Sequence, residues 1–210
     1  MRAIAALLIC LGLGLAACKP AGGGGGTGGA MPDDMSLGNP QAKVTVLEFA
    51  SLGCPICARW NNTTFPAFKA KYIDTGKVHY VLKEFSTGDA PVAAAGFLLA
   101  RCAGKDKYFQ VVDAVWRAEQ DLLESGRGAE QRDRLLKVGE SMGMTDAQIN
   151  ACIGDDAALT ALNKRINDSA NAAKIDSTPT FVIDGNPQPP GYLDMAALDK
   201  AITAAEAAAK

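Results

Sequence analysis

The alternation of hydrophobic and polar residues predicts a strand–helix–strand unit early in the chain. Residues 44–49 form a nearly continuous apolar run rich in β-branched side chains, which predicts a strand buried on both faces of a sheet. A helical stripe of large side chains follows over residues 57–75, where Pro66 is expected to kink the helix. Residues 78–85 alternate as a second strand, and a connection of this length makes that strand parallel to the first.

The pattern then becomes helical until a further strand appears near the end of the chain. Apolar residues recur at helical spacing through most of residues 88–174. Thr178-Pro179 precedes a short strand over residues 180–183, a tight turn at Asp184-Gly185 and a closing alanine-rich helix. The sequence therefore predicts an α/β fold over residues 37–210, in which a helical insertion separates two halves of one sheet.

Length and charge narrow the possible functions. A chain of 210 residues with 48% hydrophobic content fits one core-forming domain with additions rather than two full domains. The formal net charge is −2 and no basic block occurs, so we expect no nucleic-acid partner. No dimerisation segment precedes the first predicted strand, so we expect a monomer.

The first residues have the pattern of an export signal. Arg2 gives a positive start, residues 4–15 are apolar but too short to span a bilayer, and Leu15-Ala16-Ala17-Cys18 is similar to a bacterial lipobox. We therefore expect residues 1–17 to be a lipoprotein signal peptide and Cys18 to carry the lipid. An ordinary secretory signal cleaved nearby is the alternative, and both interpretations predict export.

Residues 18–36 are expected to form a tether between the lipid and the folded domain. Seven glycines lie between Gly22 and Gly29, a composition typical of a flexible linker. The folded part would then begin near Leu37, clear of the membrane surface.

The strongest candidate for chemistry is the turn Cys54-Pro55-Ile56-Cys57, which follows the first predicted strand. Cys54 lies where the next helix begins, and proline is well tolerated at the first helical position. The unpaired N–H groups and the positive end of the helix dipole favour a thiolate, which is the reactive form of cysteine. An inert structural disulfide is the alternative, but such a bridge needs no helix N-terminus.

Taken together, these motifs resemble those of a known family. They are residues 46–49 (VLEF) ahead of the CPIC turn, residues 63–66 (TTFP) in the kinked helix, and residues 177–181 (STPTF) before the later strand. This arrangement resembles a thioredoxin fold with an inserted helical domain, as in the DsbA-like periplasmic thiol-disulfide oxidoreductases. The resemblance covers the chain from about Leu37 to its end.

The resemblance implies roles for five residues. Cys54 would be the exposed nucleophile that forms mixed disulfides, and Cys57 would resolve them. Thr178 and Pro179 would form a cis-proline loop that lies against the cysteines and presents backbone to a substrate. Glu48 matches a buried acid that could relay protons to Cys57, although a solvent-exposed carboxylate at the strand end is the alternative.

One position departs from the family pattern. Family oxidases often carry histidine before the second cysteine, whereas this chain has Ile56. Isoleucine adds no charge or donor beside the thiolate, so the pKa of Cys54 should depend mainly on the helix end, and we expect a milder oxidant. Pro55 and Ile56 would leave an apolar surface beside the nucleophile for substrates.

Cys102 and Cys152 both lie on apolar helical stripes of the predicted insertion. In an oxidising compartment we expect them to form a structural disulfide, and two separate buried thiols are the alternative. A zinc site built from these two residues with Cys54 and Cys57 is conceivable, but a lone CxxC is half of the usual pattern. We expect no metal and no cofactor, and Cys10 should leave with the signal peptide.

The main functional hypothesis is an exported oxidoreductase on the periplasmic side of a bacterial envelope, held there by its lipid. It would donate the Cys54–Cys57 disulfide to folding exported proteins that contain cysteines, and the resemblance implies reoxidation by a membrane quinone-linked partner. A reductase or isomerase of the same fold is the first alternative. A chaperone or binding module in which the CPIC turn is vestigial is the second.

Overall fold

A five-stranded mixed sheet forms the centre of the structure. The computed structural model describes residues 29–118 and 129–208. The strand order is β1-β3-β2-β4-β5. The strands are β1 (Met35–Gly38), β2 (Val44–Ala50), β3 (Val78–Glu84), β4 (Thr180–Ile183) and β5 (Asn186–Pro187).

The central pairing confirms the predicted strand–helix–strand unit. β2 and β3 are parallel, with Val44 opposite Val78 and Ala50 opposite Glu84. β4 pairs antiparallel with the other side of β2, so β2 lies between two neighbours, as its continuous apolar sequence requires. The CPIC turn follows the carboxyl end of β2.

Strand β1 corrects the predicted start of the folded region. The tether was expected to run to residue 36, but Met35 and Ser36 already pair antiparallel with β3. Met35 is buried in the core, and the Lys83 Nζ, which is almost fully buried, forms an ion pair with Asp34. A buried lysine requires a partner, and this part of the tether supplies it. Residues 1–28, including the predicted signal peptide, Cys10 and Cys18, lie outside the described residues.

Helices cover both faces of the sheet. They are α1 (Pro55–Thr63), α2 (Phe65–Phe68), α3 (Ala90–Cys102), α4 (Lys105–Arg117), α5 (Ala129–Ser141), α6 (Asp146–Ile153), α7 (Asp156–Ala173) and α8 (Met195–Ala208). The predicted kinked helix is broken at Thr64, two residues before Pro66, and α2 continues into a π-helical turn over Lys69–Ile73. No helix within the described ranges combines the length and the apolar character needed to cross a bilayer.

The larger core lies on one face of the sheet, and all eight described helices contribute residues to it. Its centre is Trp60, which is fully buried and packs against Phe65, Phe68 and Phe181 with ring centroids 4.8–6.0 Å apart. The Trp60 Nε1–H donates to the Leu193 carbonyl at 2.8 Å, so this large side chain is buried with its polar group satisfied. A smaller apolar cluster on the opposite face of the sheet packs against the end of α7. The two clusters fix β2, and therefore the turn that follows it.

Candidate active site

The CPIC turn has the helix-start geometry expected from its sequence. Cys54 is the N-cap residue of α1, with an extended backbone (φ −107°, ψ 113°), and Pro55 occupies the first helical turn. The Cys54 carbonyl accepts from the Ala58 N–H at 3.1 Å, and its own N–H donates to the Ser51 carbonyl at 3.2 Å. The structure contains both cysteines of the turn as free thiols.

A second loop packs its backbone directly against the turn. The Asp89 N–H donates to the Gly53 carbonyl at 3.0 Å. A Cβ atom on Gly53 would lie 2.2 Å from the Asp89 carbonyl oxygen, and one on Gly88, where φ is +68°, would lie 1.9 Å from the Gly53 oxygen. Only glycine fits at either position. The turn is therefore held between β2 and the loop that precedes α3.

Side-chain hydrogen bonds reinforce this contact. The buried Ser51 hydroxyl donates to the Thr87 carbonyl at 2.8 Å and accepts from the Gly53 and Thr87 N–H groups at 3.2 Å. The Trp116 Nε1–H donates to the Ser51 carbonyl at 3.1 Å, which connects α4 to the turn. The sequence analysis did not identify Ser51, Thr87 or Asp89, because nothing in the local pattern shows that two loops separated by two helices and a strand meet here.

The Thr178-Pro179 loop lies against Cys54, as the resemblance implied. The Thr178–Pro179 peptide bond is cis. The Cys54 thiol donates to the Thr178 carbonyl with Sγ and oxygen 3.6 Å apart, and the Thr178 hydroxyl hydrogen-bonds the Thr87 hydroxyl. The Pro179 carbonyl accepts from the Gly191 N–H at 2.8 Å. The Thr178-Pro179 loop therefore contacts the Cys54 sulfur and is itself held by Thr87, which follows β3, and by Gly191, which follows β5.

The surroundings of Cys54 favour its thiolate. The pKa of Cys54 is lowered from 9.0 to about 6, chiefly by the hydrogen bond from the Cys57 thiol. Burial opposes this effect, while hydrogen bonds from the Thr178 side chain and from the backbone N–H groups of Cys57 and Ile56 add to it. The sequence analysis predicted that the helix end would be the main cause of the lowered pKa of Cys54, and this was wrong. The neighbouring Cys57 thiol lowers that pKa more than the helix N–H groups do.

Cys57 and Glu48 lie in the interior beneath Cys54. Burial raises the pKa of the Cys57 thiol, and the hydrogen bond to Cys54 and the charges of Cys54 and Glu48 raise it further. Burial also raises the pKa of Glu48 to about 8; the Tyr80 hydrogen bond lowers it and the Cys54 charge raises it. Glu48 is fully buried, which excludes the alternative of a solvent-exposed carboxylate. The Tyr80 hydroxyl donates to Glu48 Oε2 at 2.6 Å, and Oε1 has no partner among the described residues.

The exposed part of the site is apolar. Cys54 is only 6% exposed, which corrects the expectation of an exposed nucleophile: the loop at Gly88 and the Thr178 loop cover most of it. Pro55 is exposed, and Ile56 is 47% exposed, as expected for an apolar surface beside the nucleophile. Tyr192, 39% exposed, is the other large hydrophobic residue exposed in the described part of the chain.

Cys102 and Cys152 lie apart from this site and are joined to each other. Their disulfide connects the end of α3 to α6, with the Cα atoms 6.0 Å apart. This bond excludes the alternative of two separate thiols, and it removes two of the four ligands that a zinc site would have needed. The described residues contain no group of three or more His, Cys, Asp or Glu side chains arranged to hold a metal ion.

Comparison with known sequences agrees with this geometry. The sequence pattern of the thioredoxin family matches residues 30–204. A protein of Rickettsia bellii, assigned by name to the protein-disulfide oxidoreductases, is 34% identical over 153 residues, which cover 73% of this chain and 58% of that protein. Disulfide bond formation protein D of Bacillus subtilis is 32% identical over 95 residues, covering 45% of this chain and 40% of that protein. The chain therefore spans little more than half the length of the Rickettsia relative.

Comparison with solved structures supports the fold as a whole, including the helical insertion. The crystal structure of alpha-DsbA1 from Wolbachia pipientis superposes with a TM-score of 0.75 at 24% identity, covering 86% of this chain and 96% of that one. BdbD from Bacillus subtilis in its oxidised form gives a TM-score of 0.63 at 20% identity over 86% of this chain and 96% of that one. The chain thus belongs to the thioredoxin family, and its fold is the DsbA-like form in which a helical domain is inserted into the sheet.

Proposed function

We propose that the chain is a thiol-disulfide oxidoreductase that donates the Cys54–Cys57 disulfide to folding exported proteins. The observation that carries this proposal is the position of Cys54, at the first turn of α1, with a pKa of about 6 and the Thr178 carbonyl against its sulfur. A cysteine that is a stable thiolate at neutral pH is a good leaving group in thiol–disulfide exchange.

The exchange proceeds in two steps. A client thiolate attacks Cys54 Sγ of the oxidised enzyme, the Cys54–Cys57 bond breaks, and the Cys57 sulfur takes up a proton because the pKa of Cys57 is raised. A second client thiolate then attacks the client sulfur of the mixed disulfide and releases Cys54 as a thiolate. The client gives up two electrons, which the enzyme keeps as the Cys57 thiol and the Cys54 thiolate. Of the two client thiol protons, one balances the proton taken up at Cys57 and the other goes to solvent.

Glu48 is placed to serve Cys57 in this cycle. Its carboxyl group is buried beneath the turn with a pKa of about 8, so it is protonated at neutral pH and can supply the proton that Cys57 takes up. During reoxidation the transfer runs in reverse. We therefore assign Glu48 the role of proton relay, and we assign Thr178, Pro179, Pro55 and Ile56 to the surface that contacts the client.

The cellular setting is part of the proposal. Export and attachment through Cys18 would place the enzyme on the periplasmic side of a bacterial membrane, where a membrane quinone-linked protein would reoxidise it. Mass analysis of the processed chain tests this: we expect a chain that begins at a lipid-modified Cys18, and a Cys18→Ser variant that is released from the membrane. A chain cleaved elsewhere without lipid contradicts the anchor and leaves the redox function standing.

The decisive experiment is a redox equilibrium. The protein is equilibrated in glutathione buffers, quenched, alkylated and weighed. We expect a potential for the Cys54–Cys57 pair between about −120 mV, as in DsbA, and about −270 mV, as in thioredoxin, because Ile56 adds no charge to the site. A value near or below that of thioredoxin points to the reductase alternative. A Cys54→Ser variant that keeps full activity in cells points to a chaperone or binding module.

A further inference from the structure

The chain enters the fold at the end of the sheet that carries Cys54, which is called the redox end below. Strand β1 is antiparallel to β3, with Met35 opposite Leu82 and Gly38 opposite His79. β3 is parallel to β2. The amino end of β1 therefore lies at the carboxyl ends of β2 and β3, which is the end where the CPIC turn begins.

Buried charges hold the preceding residues in that place. The Lys83 Nζ donates to the Gly29 carbonyl at 3.0 Å in addition to its ion pair with Asp34. Arg101 donates to the Asp33 carbonyl at 3.2 Å. Because Lys83 is almost fully buried, releasing this segment would leave a charge unpaired in the interior, which is costly. Residues 29–34 are thus fixed at the redox end.

Strand β1, which follows the fixed segment, is also close to the strand that leads to Cys54. β1 lies beside β3, and β3 lies beside β2. Adjacent strands are about 4.8 Å apart, so the strand that brings the chain in lies about 10 Å from the strand that leads to Cys54.

The carboxyl end of α8 lies at the opposite end of the sheet. Ala208, near the end of α8, lines a groove with Asp184 and Asn186. The Asp184 N–H donates to the Thr45 carbonyl at 2.8 Å, at the amino end of β2. The seven residues of β2 separate the two ends by about 20 Å. An anchor that precedes Gly29 and an anchor that follows Ala208 would therefore orient the domain in opposite ways.

We propose that lipid attachment at Cys18 turns the redox end toward the bilayer, so that Cys54 exchanges with the disulfide of a membrane protein held close to the lipid surface. Residues 19–28 separate Cys18 from Gly29, and a glycine-rich chain of that length has a root-mean-square reach of about 17 Å. That reach is shorter than the distance of about 20 Å between the two ends of the sheet, so the redox end stays nearer the membrane than the opposite end does. The inference rests on the proposed function.

The surface at this end suits a protein partner. Ile56 and Tyr192 are the large hydrophobic residues that the described chain exposes, and Tyr192 follows Gly191, whose N–H bonds the Pro179 carbonyl beside Cys54. The Arg59 guanidinium lies 5.0 Å from the centre of the Tyr192 ring, which holds that ring at the surface. The Tyr192 hydroxyl hydrogen-bonds the Thr63 hydroxyl at the far end of α1, so Ile56 beside Cys54 and Tyr192 along the same helix give the partner two separate apolar contacts.

The exchange with this partner balances as follows. The Cys54 thiolate attacks the partner disulfide, forms a mixed disulfide and releases one partner thiolate. Cys57 loses its proton, attacks Cys54 Sγ and releases the second partner thiolate. Two electrons pass from the reduced Cys54–Cys57 pair to the partner disulfide. The proton that Cys57 loses passes to one partner thiolate, and the other partner thiolate takes its proton from solvent.

The test moves the anchor from one terminus to the other. The mature chain with Cys18→Ser carries a diacyl lipid joined by sortase ligation either at its N-terminus or, in the matched control, after Lys210 through a copy of residues 19–28. Both proteins are reduced and bound to phosphatidylcholine vesicles that contain a phospholipid with a disulfide on its head group. Alkylation and mass measurement follow oxidation of the Cys54–Cys57 pair, and oxidised glutathione in solution serves as the second oxidant.

We expect the lipid-borne disulfide to oxidise the N-terminally anchored protein about tenfold faster than the C-terminally anchored one, because the local concentration at Cys54 differs. Glutathione should oxidise both at the same rate. Equal rates with the lipid-borne disulfide, or a faster reaction of the C-terminally anchored protein, overturn the proposed orientation. Failure of both proteins to react with glutathione overturns the proposed function, and this inference with it.

Discussion

At the scale of single residues, the chemistry depends on where the proton of Cys54 goes. Its folded pKa is about 6, against 9.0 for an unperturbed thiol, so the thiolate is present in the folded chain at neutral pH. An acid whose pKa is depressed on folding contributes stability above its unfolded pKa and loses that stability as the pH falls through the folded pKa.

The first prediction follows from this sign. We expect the reduced protein to gain stability relative to Cys54→Ala as the pH rises from about 6 to 9, with no gain below 6. Urea unfolding at several pH values measures the difference, and thiolate absorbance near 240 nm should titrate with a midpoint near pH 6. A midpoint near 9 would show that the site does not activate Cys54.

The second prediction concerns Ile56. Replacing this exposed residue by histidine adds a positive charge or a donor beside the sulfur, so Ile56→His should lower the pKa of Cys54 below about 6. The same absorbance titration measures it. Ile56→Leu, which keeps the apolar surface, should leave the midpoint in place; an unchanged or higher midpoint in the histidine variant would contradict the argument.

The third prediction concerns Tyr80, which the sequence analysis did not identify. The Tyr80 hydroxyl donates to Glu48 and favours its charged form, so Tyr80→Phe should raise the pKa of Glu48 above about 8. Carbon NMR of labelled glutamate carboxyl groups measures that pKa. Tyr108→Phe is the matched control, because Tyr108 donates to a different buried glutamate, Glu84, at 3.0 Å. If Tyr108→Phe shifted the pKa of Glu48 by the same amount, the effect would come from a general loosening of the core and not from the Tyr80 hydrogen bond.

The sequence identified the reacting residues at this scale and missed those that hold them. Cys54, Cys57 and Glu48 belong to one continuous stretch, where spacing from a strand to a helix start is visible in the pattern. Ser51, Thr87 and Asp89 act through a contact between two loops, which depends on the backbone approach at Gly53 and Gly88. Such an approach has no periodic signature.

At the scale of elements, hydrophobic periodicity predicted the long segments better than the short ones. Helices α3 to α7 carry apolar stripes and occupy the predicted insertion. β1 has four residues and a mixed composition, and it forms because β3 offers an open edge and Lys83 a buried charge. The sequence predicted a kink at Pro66, whereas the helix breaks at Thr64. The reason is that proline disturbs the helical turn that precedes its own position.

The disulfide between α3 and α6 gives the fourth prediction. Cys102 and Cys152 are 50 residues apart, and on the chain-entropy model closing such a loop stabilises a fold by roughly 4 kcal/mol. The double variant Cys102→Ala/Cys152→Ala should lose up to about that amount in urea unfolding. Its exchange rate with glutathione should stay unchanged, because the bond lies outside the active site. A slower exchange would couple the two cysteine pairs.

At the scale of the whole molecule, one buried carboxylate joins the sheet to the helical insertion. Glu84, at the end of β3, accepts from Arg101 of α3 at 2.6 and 2.8 Å and from Arg165 of α7 at 3.2 Å. Arg101 also bonds the Asp33 carbonyl, so the incoming chain takes part in the same network. Thus a single side chain connects three parts of the molecule.

The fifth prediction tests this network. Glu84→Gln leaves two guanidinium groups without their carboxylate, so we expect a loss of about 3 kcal/mol in the free energy of unfolding. Asp168→Asn removes an exposed i,i+4 pair with Lys164 and should cost less than about 0.5 kcal/mol. Urea unfolding of both variants measures the contrast. Similar losses would mean that the buried network does not carry the docking of the insertion.

The two edge strands of the sheet affect how long a client stays bound after exchange. β1 offers four residues, and β5 offers two, of which one is Pro187. Edge strands this short, one of them containing proline, offer a polypeptide few free main-chain groups for hydrogen bonding. Addition of a further strand at either edge of the sheet is therefore disfavoured. A client that has completed disulfide exchange therefore has few other contacts with the sheet, and we expect it to dissociate rapidly.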